Sequence, residues 1–242
     1  MPPSAARHVV CLGDSLTRGQ VSVDFVKMLR SRDIGQQVRV TNAGVNGDLA
    51  YNVLQRLDSV VELRPDVVSV LIGTNDANAS LSEKNVRMMT RMKNLPSRPT
   101  IEWYQENLTA IVERLMRETP AEIALMSLPV LGEELGSPSV LRAADYSAVV
   151  KDVAETHNVA YLCLYERQIA YLTAAGFTPG IRFRDGRVLS ASAAIQHFVL
   201  RRSLDSISRR RDLRLTTDLI HQNTTGATIV ADLIEEFLAQ RA

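Results

Sequence analysis

The chain has 242 residues, 45% of them hydrophobic. That is enough to bury one sizeable core, so we expect a single domain over residues 1–242. Its 28 Lys and Arg residues nearly balance its 27 Asp and Glu residues, so no overall field favours a nucleic-acid partner or a membrane surface. No window approaches the roughly 18 apolar residues of a membrane span, and the first apolar run is too short for a signal-peptide core. We therefore expect a cytoplasmic protein without stable membrane insertion.

Five short apolar stretches alternate with segments of helical spacing. In chain order they read HVVCLG, VRVTNAG, DVVSVLIG, EIALMSLP and VAYLCL. Continuous apolar runs of this length are typical of strands that are buried on both faces, as in a parallel sheet. Between them, apolar residues recur at helical spacing from Ala50 to Val61 and from Tyr104 to Leu115. This order predicts an α/β fold, a five-stranded parallel sheet with helices on both faces.

Polar loops that contain glycine follow each of the first three predicted strands. They are Gly13-Asp14-Ser15, residues 42–47 and Gly73-Thr74-Asn75-Asp76. The carboxyl ends of parallel strands meet at one edge of the sheet, and ligands bind at that edge in folds of this class. We therefore expect the three loops to converge on one site.

Two segments are longer than a minimal unit of this fold requires. Residues 77–100 follow the third strand and carry three methionines, and residues 164–217 follow the fifth and carry an arginine-rich stretch from Arg182 to Arg214. Both are expected to rise over the carboxyl edge of the sheet, where loops often carry the residues that bind a ligand. The methionines either pack or line an adaptable acyl pocket. The arginines form a solvated helix face, or contact an anionic substrate group or lipid headgroups.

Ser15 is a candidate nucleophile, but a serine hydroxyl needs a base that takes its proton and a third group that orients the base. His221 lies in LTTDLIHQNTTGA, a polar loop before the last amphipathic helix, and Asp218 precedes it by three residues. That spacing lets the carboxylate reach one ring nitrogen and leaves the other free to face Ser15. Alternatively, the pair is a turn residue beside a solvated histidine. The other histidines lie at the opposite edge of the sheet, at a helix end and in the second insertion: His8, His157 and His197.

The negative charge that develops during attack on a carbonyl needs hydrogen-bond donors. Three candidates are present: the backbone N–H of Ser15 at a helix start, the N–H of Gly47 and the side-chain amide of Asn75. A glycine lets the backbone approach a ligand closely, and an amide donates without adding a charge. Each of these residues, taken alone, can also be explained as an ordinary turn residue.

Taken together and in this order, four blocks resemble those of the SGNH or GDSL family of lipases and esterases. They are GDSL at residues 13–16, NAGVNGD, GTND at residues 73–76 and DLIH at residues 218–221. The resemblance implies a flavodoxin-like, three-layer α/β/α sandwich and neither a metal nor an organic cofactor. One departure is Gln222, where similar proteins often have proline. The change would alter the rigidity of the histidine loop without removing a catalytic atom.

Carried over to this sequence, the resemblance makes Ser15 the nucleophile, His221 the general base and acid, and Asp218 the orienting carboxylate. The N–H groups of Ser15 and Gly47 and the side chain of Asn75 would form the oxyanion hole. The implied reaction is hydrolysis of a carboxylic ester through an acyl-enzyme, on a small-molecule or carbohydrate substrate. We expect acetyl or other short-acyl esters, because the polar second insertion offers little room for a long chain. A lysophospholipase and an acyl thioesterase are alternatives within the family.

A different class of protein also fits a flavodoxin-like sheet. The first loop would then cradle a phosphate or a flavin, or the domain would be a catalytically silent interaction module. Asp14 disfavours the phosphate cradle, since a carboxylate beside a phosphate costs electrostatic energy unless a metal intervenes. The complete set of catalytic groups disfavours a silent module, because a domain without catalysis has no need to retain every one of them.

Overall fold

A computed structural model describes residues 6–183 and 187–240 of the chain. The predicted 164–217 segment is thus described except for residues 184–186, and residues 1–5 and 241–242 lie outside the description. Within the described ranges the strands are β1 (His8–Gly13), β2 (Arg39–Gly44), β3 (Val67–Leu71), β4 (Glu122–Met126) and β5 (Ala160–Leu162). All pair in parallel in the order β2-β1-β3-β4-β5. The predicted α/β fold with a five-stranded parallel sheet is confirmed.

Helices connect these strands. In chain order they are α1 (Ser15–Arg18), α2 (Phe25–Arg30), α3 (Asp33–Gln37), α4 (Ala50–Gln55), α5 (Asp58–Val61), α6 (Thr74–Ala79), α7 (Glu83–Lys93), α8 (Ile101–Glu118), α9 (Pro138–Thr156), α10 (Leu164–Ala175), α11 (Arg187–Ala194), α12 (Leu204–Arg210) and α13 (Thr224–Ala239). A π-helical turn at Ile195–Val199 continues α11.

The helical spacing from Ala50 to Val61 predicted one helix, whereas the structure has two, α4 and α5. The interruption falls at Arg56, which leaves helical geometry with φ of −111°. Its guanidinium turns back to donate hydrogen bonds to the carbonyls of Gly13 and Ala43 at the ends of β1 and β2. Polar tertiary contacts therefore override the local apolar pattern at this point.

Separate apolar clusters cover the two faces of the sheet. On one face α4, α8 and α9 pack against the strands through residues such as Leu108 and Val150. On the other face α2 and α13 pack through residues such as Phe25 and Val230. These side chains are at most 2% exposed. The result is the three-layer α/β/α sandwich that the family resemblance implied.

The strand order reverses beside β1, because the chain leaves β1 for the edge strand β2 and then returns to β3 on the opposite side. At such a reversal the loops after neighbouring strands diverge and leave a crevice for a ligand. The register aligns the strand ends: Gly13 pairs with Gly44 of β2 and with Leu71 of β3. The three polar loops therefore begin at one level of the sheet. In the part of the chain that the structure describes, no helix is long and apolar enough to cross a membrane.

Candidate active site

Ser15 is placed by a sharp change from strand to helix. Asp14 ends the extended segment and its side chain accepts a hydrogen bond of 2.9 Å from the N–H of Leu16, which caps α1. Ser15 is the first residue of that helix, where a backbone N–H has no acceptor within the helix. A Cβ atom at Gly13 would overlap the carbonyl oxygen of Leu71 and the hydroxyl of Thr17. The glycine is needed so that this turn can lie tightly against β3.

Folding brings Ser15, His221 and Asp218 into one hydrogen-bonded chain. The Oγ of Ser15 lies 3.0 Å from Nε2 of His221, although the two residues are 206 positions apart. The other ring nitrogen, Nδ1, lies 2.8 Å from Oδ2 of Asp218. A proton on Nδ1 is donated to the carboxylate, which leaves Nε2 as the acceptor that faces the serine hydroxyl. This is the geometry of a serine, base and orienting carboxylate.

Asp218 is fully buried, and several donors hold its charge. Its Oδ1 accepts hydrogen bonds from the N–H groups of Ile220 at 3.1 Å and His221 at 2.8 Å. The side chain of Ser190, from α11, hydrogen-bonds to the same carboxylate. Burial by itself raises the pKa of Asp218, but the charge and hydrogen bonds of His221 outweigh it and lower that pKa to about 2.

The pKa of His221 is displaced in the opposite direction. Burial of the ring lowers it, but the charge and hydrogen bond of Asp218, together with the charge of Asp14, raise it above the ordinary value of 6.5. The contacts with Asp218 therefore stabilise the protonated form of the His221 ring.

The loop that carries Asp218 and His221 is closed and braced. Thr216 forms an antiparallel bridge with Gln222, and the N–H of Thr217 donates to the carbonyl of His221 at 2.7 Å. Leu219, between the acid and the base, has a positive φ of 74°. A leucine in this region is strained, and such strain persists only where the surroundings hold it. The carbonyl of Leu219 is fixed by the N–H of Gly132 at 2.8 Å.

Gln222, at the position where similar proteins often have proline, is held in place by hydrogen bonds. The side chain is 2% exposed. Its Oε1 accepts a hydrogen bond of 2.6 Å from Gln168, and its Nε2 donates to the carbonyl of Ile220 at 3.2 Å. The N–H of Gln222 also donates to the hydroxyl of Ser22. Tertiary hydrogen bonds thus restrain the backbone after His221.

Asn75 lies in the first turn of α6 and faces the residues around Ser15. Its Nδ2 donates to Oδ2 of Asp14 at 3.0 Å and to the backbone oxygen of Asp48 at 2.9 Å. Gly47 directly precedes Asp48 and has a φ of +74°, a conformation that favours glycine. The three sequence-predicted oxyanion donors therefore belong to loops that are linked by Asp14 and Asp48.

Sequence reasoning missed the residues that hold the Gly47 loop. Asp48 is 3% exposed and forms ion pairs with Nε of Arg56 at 2.8 Å and Nζ of Lys93 at 3.0 Å. Lys93 also donates to the carbonyl of Asn46 at 2.8 Å. Asp48 had a local signal, since it follows Gly47 in the second block. Arg56 and Lys93 had none, because their roles depend on helices α4 and α7 folding against the loop.

The sequence indicated Asp14 only as an obstacle to phosphate, but in the structure it connects several parts of the site. It is fully buried, and burial raises its pKa to about 7 despite the hydrogen bond from Leu16. One carboxylate oxygen accepts a hydrogen bond from the N–H of Leu16 at the start of α1, and the other accepts one from the amide of Asn75.

The remaining histidines lie elsewhere. His8 is buried and contacts the carbonyl of Leu63 and the hydroxyl of Thr41. His157 ends α9, and its Nδ1 lies 2.9 Å from the carbonyl of Val153. His197 lies in the π-helical turn beside the carbonyl of Arg202.

A cavity of about 350 Å³ opens beside His221. Both long segments contribute to it, α7 from the first and α11 from the second. The described residues that line it are Asn75, Asn78, Met88, Met89, Met92, Ser190, Ala191, Ala194, Ile220 and His221.

Three solved structures resemble the fold over nearly its full length. The acetyl xylan esterase AlAXEase is 17% identical with a TM-score of 0.68, and the match covers 95% of this chain and 98% of that one. An acetylxylan esterase from Geobacillus stearothermophilus is 17% identical with a TM-score of 0.64, covering 98% and 95%. A lipase/acylhydrolase from Enterococcus faecalis is 23% identical with a TM-score of 0.63, covering 97% and 96%. At these identities the likeness establishes the fold.

No curated protein sequence matches the chain significantly. The model of the GDSL-like lipase/acylhydrolase family, in contrast, matches residues 11–183. That range includes Ser15, Gly47 and Asn75 but ends before Asp218 and His221, which are connected to it by the hydrogen bonds described above. Because the match covers most of the sequence, the chain belongs to the GDSL-like lipase/acylhydrolase family and is a carboxylic ester hydrolase.

Proposed function

We propose that Ser15, His221 and Asp218 carry out the ester hydrolysis through an acyl-enzyme. The observation that carries the proposal is the continuous chain from Ser15 Oγ to His221 Nε2 at 3.0 Å and from His221 Nδ1 to Asp218 Oδ2 at 2.8 Å. A serine hydroxyl in that position can lose its proton to a base whose charged form is stabilised.

In the first half of the reaction, Ser15 Oγ attacks the ester carbonyl carbon and its proton moves to His221 Nε2. The carbonyl oxygen becomes an oxyanion, which accepts hydrogen bonds from the N–H groups of Ser15 and Gly47 and from the amide of Asn75. To donate there, Asn75 gives up one of its two hydrogen bonds to Asp14 and Asp48. When the tetrahedral intermediate collapses, the bond to the alcohol oxygen breaks. His221 gives its proton to that oxygen, so a neutral alcohol leaves and Ser15 remains acylated.

In the second half, water attacks the acyl-enzyme and gives a proton to His221. The bond between the acyl carbon and Ser15 Oγ then breaks, and the serine oxygen takes the proton back from His221. The acid product is released and the enzyme regains its starting state. The same base and the same donors serve both halves of the reaction.

For the substrate, we propose acetyl or other short-acyl esters, with a carbohydrate as the alcohol. Two of the similar structures are acetylxylan esterases whose folds align with almost this whole chain. Lysophospholipids and acyl thioesters are the competing substrates. The cytoplasmic location stays a prediction from the sequence.

The phosphate or flavin alternative has less support in the geometry. The loop after β1 turns a buried carboxylate, Asp14, toward the site, and both of its oxygens already accept hydrogen bonds from Leu16 and Asn75. A phosphate cradle instead needs several free N–H groups aimed at the anion.

Labelling with a fluorophosphonate probe, followed by identification of the modified residue, tests the nucleophile. We expect modification of Ser15, and loss of at least about a thousandfold in kcat for Ser15→Ala on p-nitrophenyl acetate. The exposed Ser31→Ala serves as the matched control and should retain wild-type turnover. Full activity of Ser15→Ala, or labelling of another residue, would refute the proposal.

The substrate class requires a separate comparison. Release of acetate from acetylated xylooligosaccharides should exceed hydrolysis of lysophosphatidylcholine and of a long-chain acyl thioester, each compared as kcat/KM. A higher kcat/KM for either lipid-like substrate would reject the short-acyl carbohydrate ester and leave the Ser15 chemistry intact.

A further inference from the structure

The cavity beside His221 has walls that differ from the catalytic groups at its mouth. The apolar walls are built by α7, α11 and the residue before His221: Met88, Met89, Met92, Ala191, Ala194 and Ile220. We refer to this space as the Met/Ala cavity. It lies where the predicted insertions 77–100 and 164–217 meet above the site, so all of its apolar wall residues except Ile220 come from outside the four sequence blocks.

Helical spacing explains how these side chains face one space. Met88 and Met92 are four positions apart on α7 and therefore lie on the same side of the helix, one turn apart. Ala191 and Ala194 are three positions apart on α11 and share a side in the same way. The alanines leave room between the two helices, and the flexible methionine side chains adapt their shape to an apolar guest.

Four polar residues also line the cavity: Asn75, Asn78, Ser190 and His221. Among the described residues the buried Oδ1 of Asn78 has no hydrogen-bond partner, whereas the other three are engaged around the catalytic centre. The amide of Asn75 donates to Asp14 and Asp48, His221 contacts Ser15 and Asp218, and Ser190 is hydrogen-bonded to Asp218. A sugar ring would bring hydroxyl groups into a space whose walls are thioether and methyl groups. Burying polar groups without partners is unfavourable, whereas burying methylene groups is favourable.

The volume is also larger than an acetyl group needs. A cavity of about 350 Å³ is roughly ten times the ~30 Å³ share of one water molecule, which is similar in size to a methylene group. In an ester of a carbohydrate the alcohol half is polar, so the acyl half is the one that suits apolar walls.

We propose that the Met/Ala cavity is an acyl-chain subsite that accepts linear acyl groups of about four to six carbons, with favourable burial of each added methylene. Ala194 on α11 and Met92 on α7, which both line it, are the specificity-determining residues. This inference rests on the proposed function, and it assigns the two insertions to the acyl half of the substrate.

A series of p-nitrophenyl esters with one alcohol and acyl groups of two, four, six and eight carbons tests the chain-length dependence. We expect kcat/KM to rise from acetate to hexanoate, by up to about fourfold for each buried methylene. A series that is flat or falls from acetate onward would overturn the subsite. A maximum at octanoate would extend the subsite and reject the short-acyl preference. Absence of turnover with every ester would instead reject the proposed function.

Substitutions on the two walls test which residues form the subsite. In Ala194→Phe, the ratio of kcat/KM for hexanoate to that for acetate should fall at least tenfold, because the phenyl ring fills the space between α7 and α11. Val188→Phe is the matched control: Val188 lies on the same helix, is 77% exposed, and does not line the cavity, so the ratio should stay at the wild-type value. An unchanged ratio in Ala194→Phe contradicts the proposal.

A second variant changes a lining residue on the other helix, α7. Met92 is 49% exposed, so Met92→Trp places a larger ring at the rim without disturbing a buried cluster. It should lower the same ratio, and thermal unfolding together with fluorophosphonate labelling verifies that each variant retains its fold and a reactive serine. If Ala194→Phe does not fold, Met92→Trp decides the outcome alone.

A final series holds the acyl group at acetyl and lengthens the alcohol from methyl to hexyl. Under the proposal, Met92→Trp changes how kcat/KM depends on the length of the acyl group. The dependence of kcat/KM on the length of the alcohol keeps its wild-type slope. A changed slope with the alcohol and an unchanged slope with the acyl group would assign the cavity to the leaving group and overturn the proposal.

Discussion

The side-chain amide of Asn75 donates a hydrogen bond of 3.0 Å to the buried carboxylate of Asp14. The same carboxylate caps the helix that begins at Ser15. The proposed nucleophile and a proposed oxyanion donor, which are 60 positions apart in the sequence, are thus oriented by one side chain between them.

We predict that Asp14→Asn lowers kcat by about tenfold or more, with a smaller change in KM, through the loss of a charge-assisted hydrogen bond. An asparagine can still cap Leu16 through its oxygen, but its amide then points a donor at the amide of Asn75. Steady-state kinetics on p-nitrophenyl acetate measures the split between kcat and KM. A fall confined to KM would contradict a role in positioning the oxyanion donor.

Asn75→Ala should lower kcat by roughly a hundred- to a thousandfold, as expected for the loss of one oxyanion donor. The exposed Asn46→Ala offers a comparison in which an asparagine amide is lost outside the proposed oxyanion hole. An unchanged kcat in Asn75→Ala would remove this residue from the hole.

Combining the two changes distinguishes a direct from an indirect effect of Asp14. If Asp14 acts through Asn75, Asp14→Asn should have little further effect on kcat in the Asn75→Ala background, because coupled residues are not additive. Fully additive losses in the double variant would show that Asp14 acts independently of Asn75.

The pH dependence of kcat/KM should show an acidic limb set by His221. The base must be neutral to accept the serine proton, so kcat/KM falls as the pH drops through its pKa. Burial lowers that pKa, but the charge and hydrogen bond of Asp218 raise it above 6.5. We therefore expect the midpoint of the limb above pH 6.5.

Asp218→Asn removes the charge that raises the pKa of His221. The acidic limb of the remaining activity should move to lower pH, and kcat should fall by about a thousand- to ten-thousandfold because the tautomer is no longer fixed. The exposed Asp145→Asn, on α9, should leave both values at wild type. If the midpoint of the acidic limb does not move, a group other than His221 sets that midpoint.

Lys93→Met should lower kcat by about tenfold, since loss of a charged hydrogen bond to a buried carboxylate costs about 1.5–3 kcal/mol and frees the loop of Gly47. Lys93 donates to Asp48 at 3.0 Å and to the carbonyl of Asn46 at 2.8 Å. Lys93→Arg should restore part of the rate. The exposed Arg91→Met on the same helix is the control, and an equal loss there would assign the effect to helix charge.

Glu133 is 1% exposed and holds the segment that leads into the loop of Asp218 and His221. Its carboxylate accepts hydrogen bonds from the N–H groups of Arg214, Leu215 and Thr216 and from the hydroxyl of Thr216. We predict that Glu133→Ala lowers the free energy of unfolding by about 3 kcal/mol or more, because several buried donors lose their acceptor. Denaturant unfolding measures the change, with the exposed Glu106→Ala as control. A loss under about 1 kcal/mol would show that water replaces the carboxylate.

Much of the fold could be predicted because its signals are local. Continuous apolar runs separated by helical spacing indicate strands buried on both faces, and that pattern depends only on near neighbours in the sequence. The sequence did not predict that the helix over Ala50 to Val61 would be divided in two, because the cause of the division is not local. The guanidinium of Arg56 is engaged by strand ends that are remote in sequence.

The candidates for chemistry could be identified from the amino-acid sequence alone. Each lies in a short block whose residue types suit the reaction and which follows a strand or precedes a helix; they are Ser15, Gly47, Asn75, Asp218 and His221. The approach of Ser15 to within 3.0 Å of His221, in contrast, is visible only in the folded chain. The tertiary structure also revealed Asp14, Asp48, Lys93 and Glu133 as the groups that hold the loops in place. Those roles arise from buried charges and hydrogen bonds between distant segments, and such contacts have no periodicity that a sequence could display.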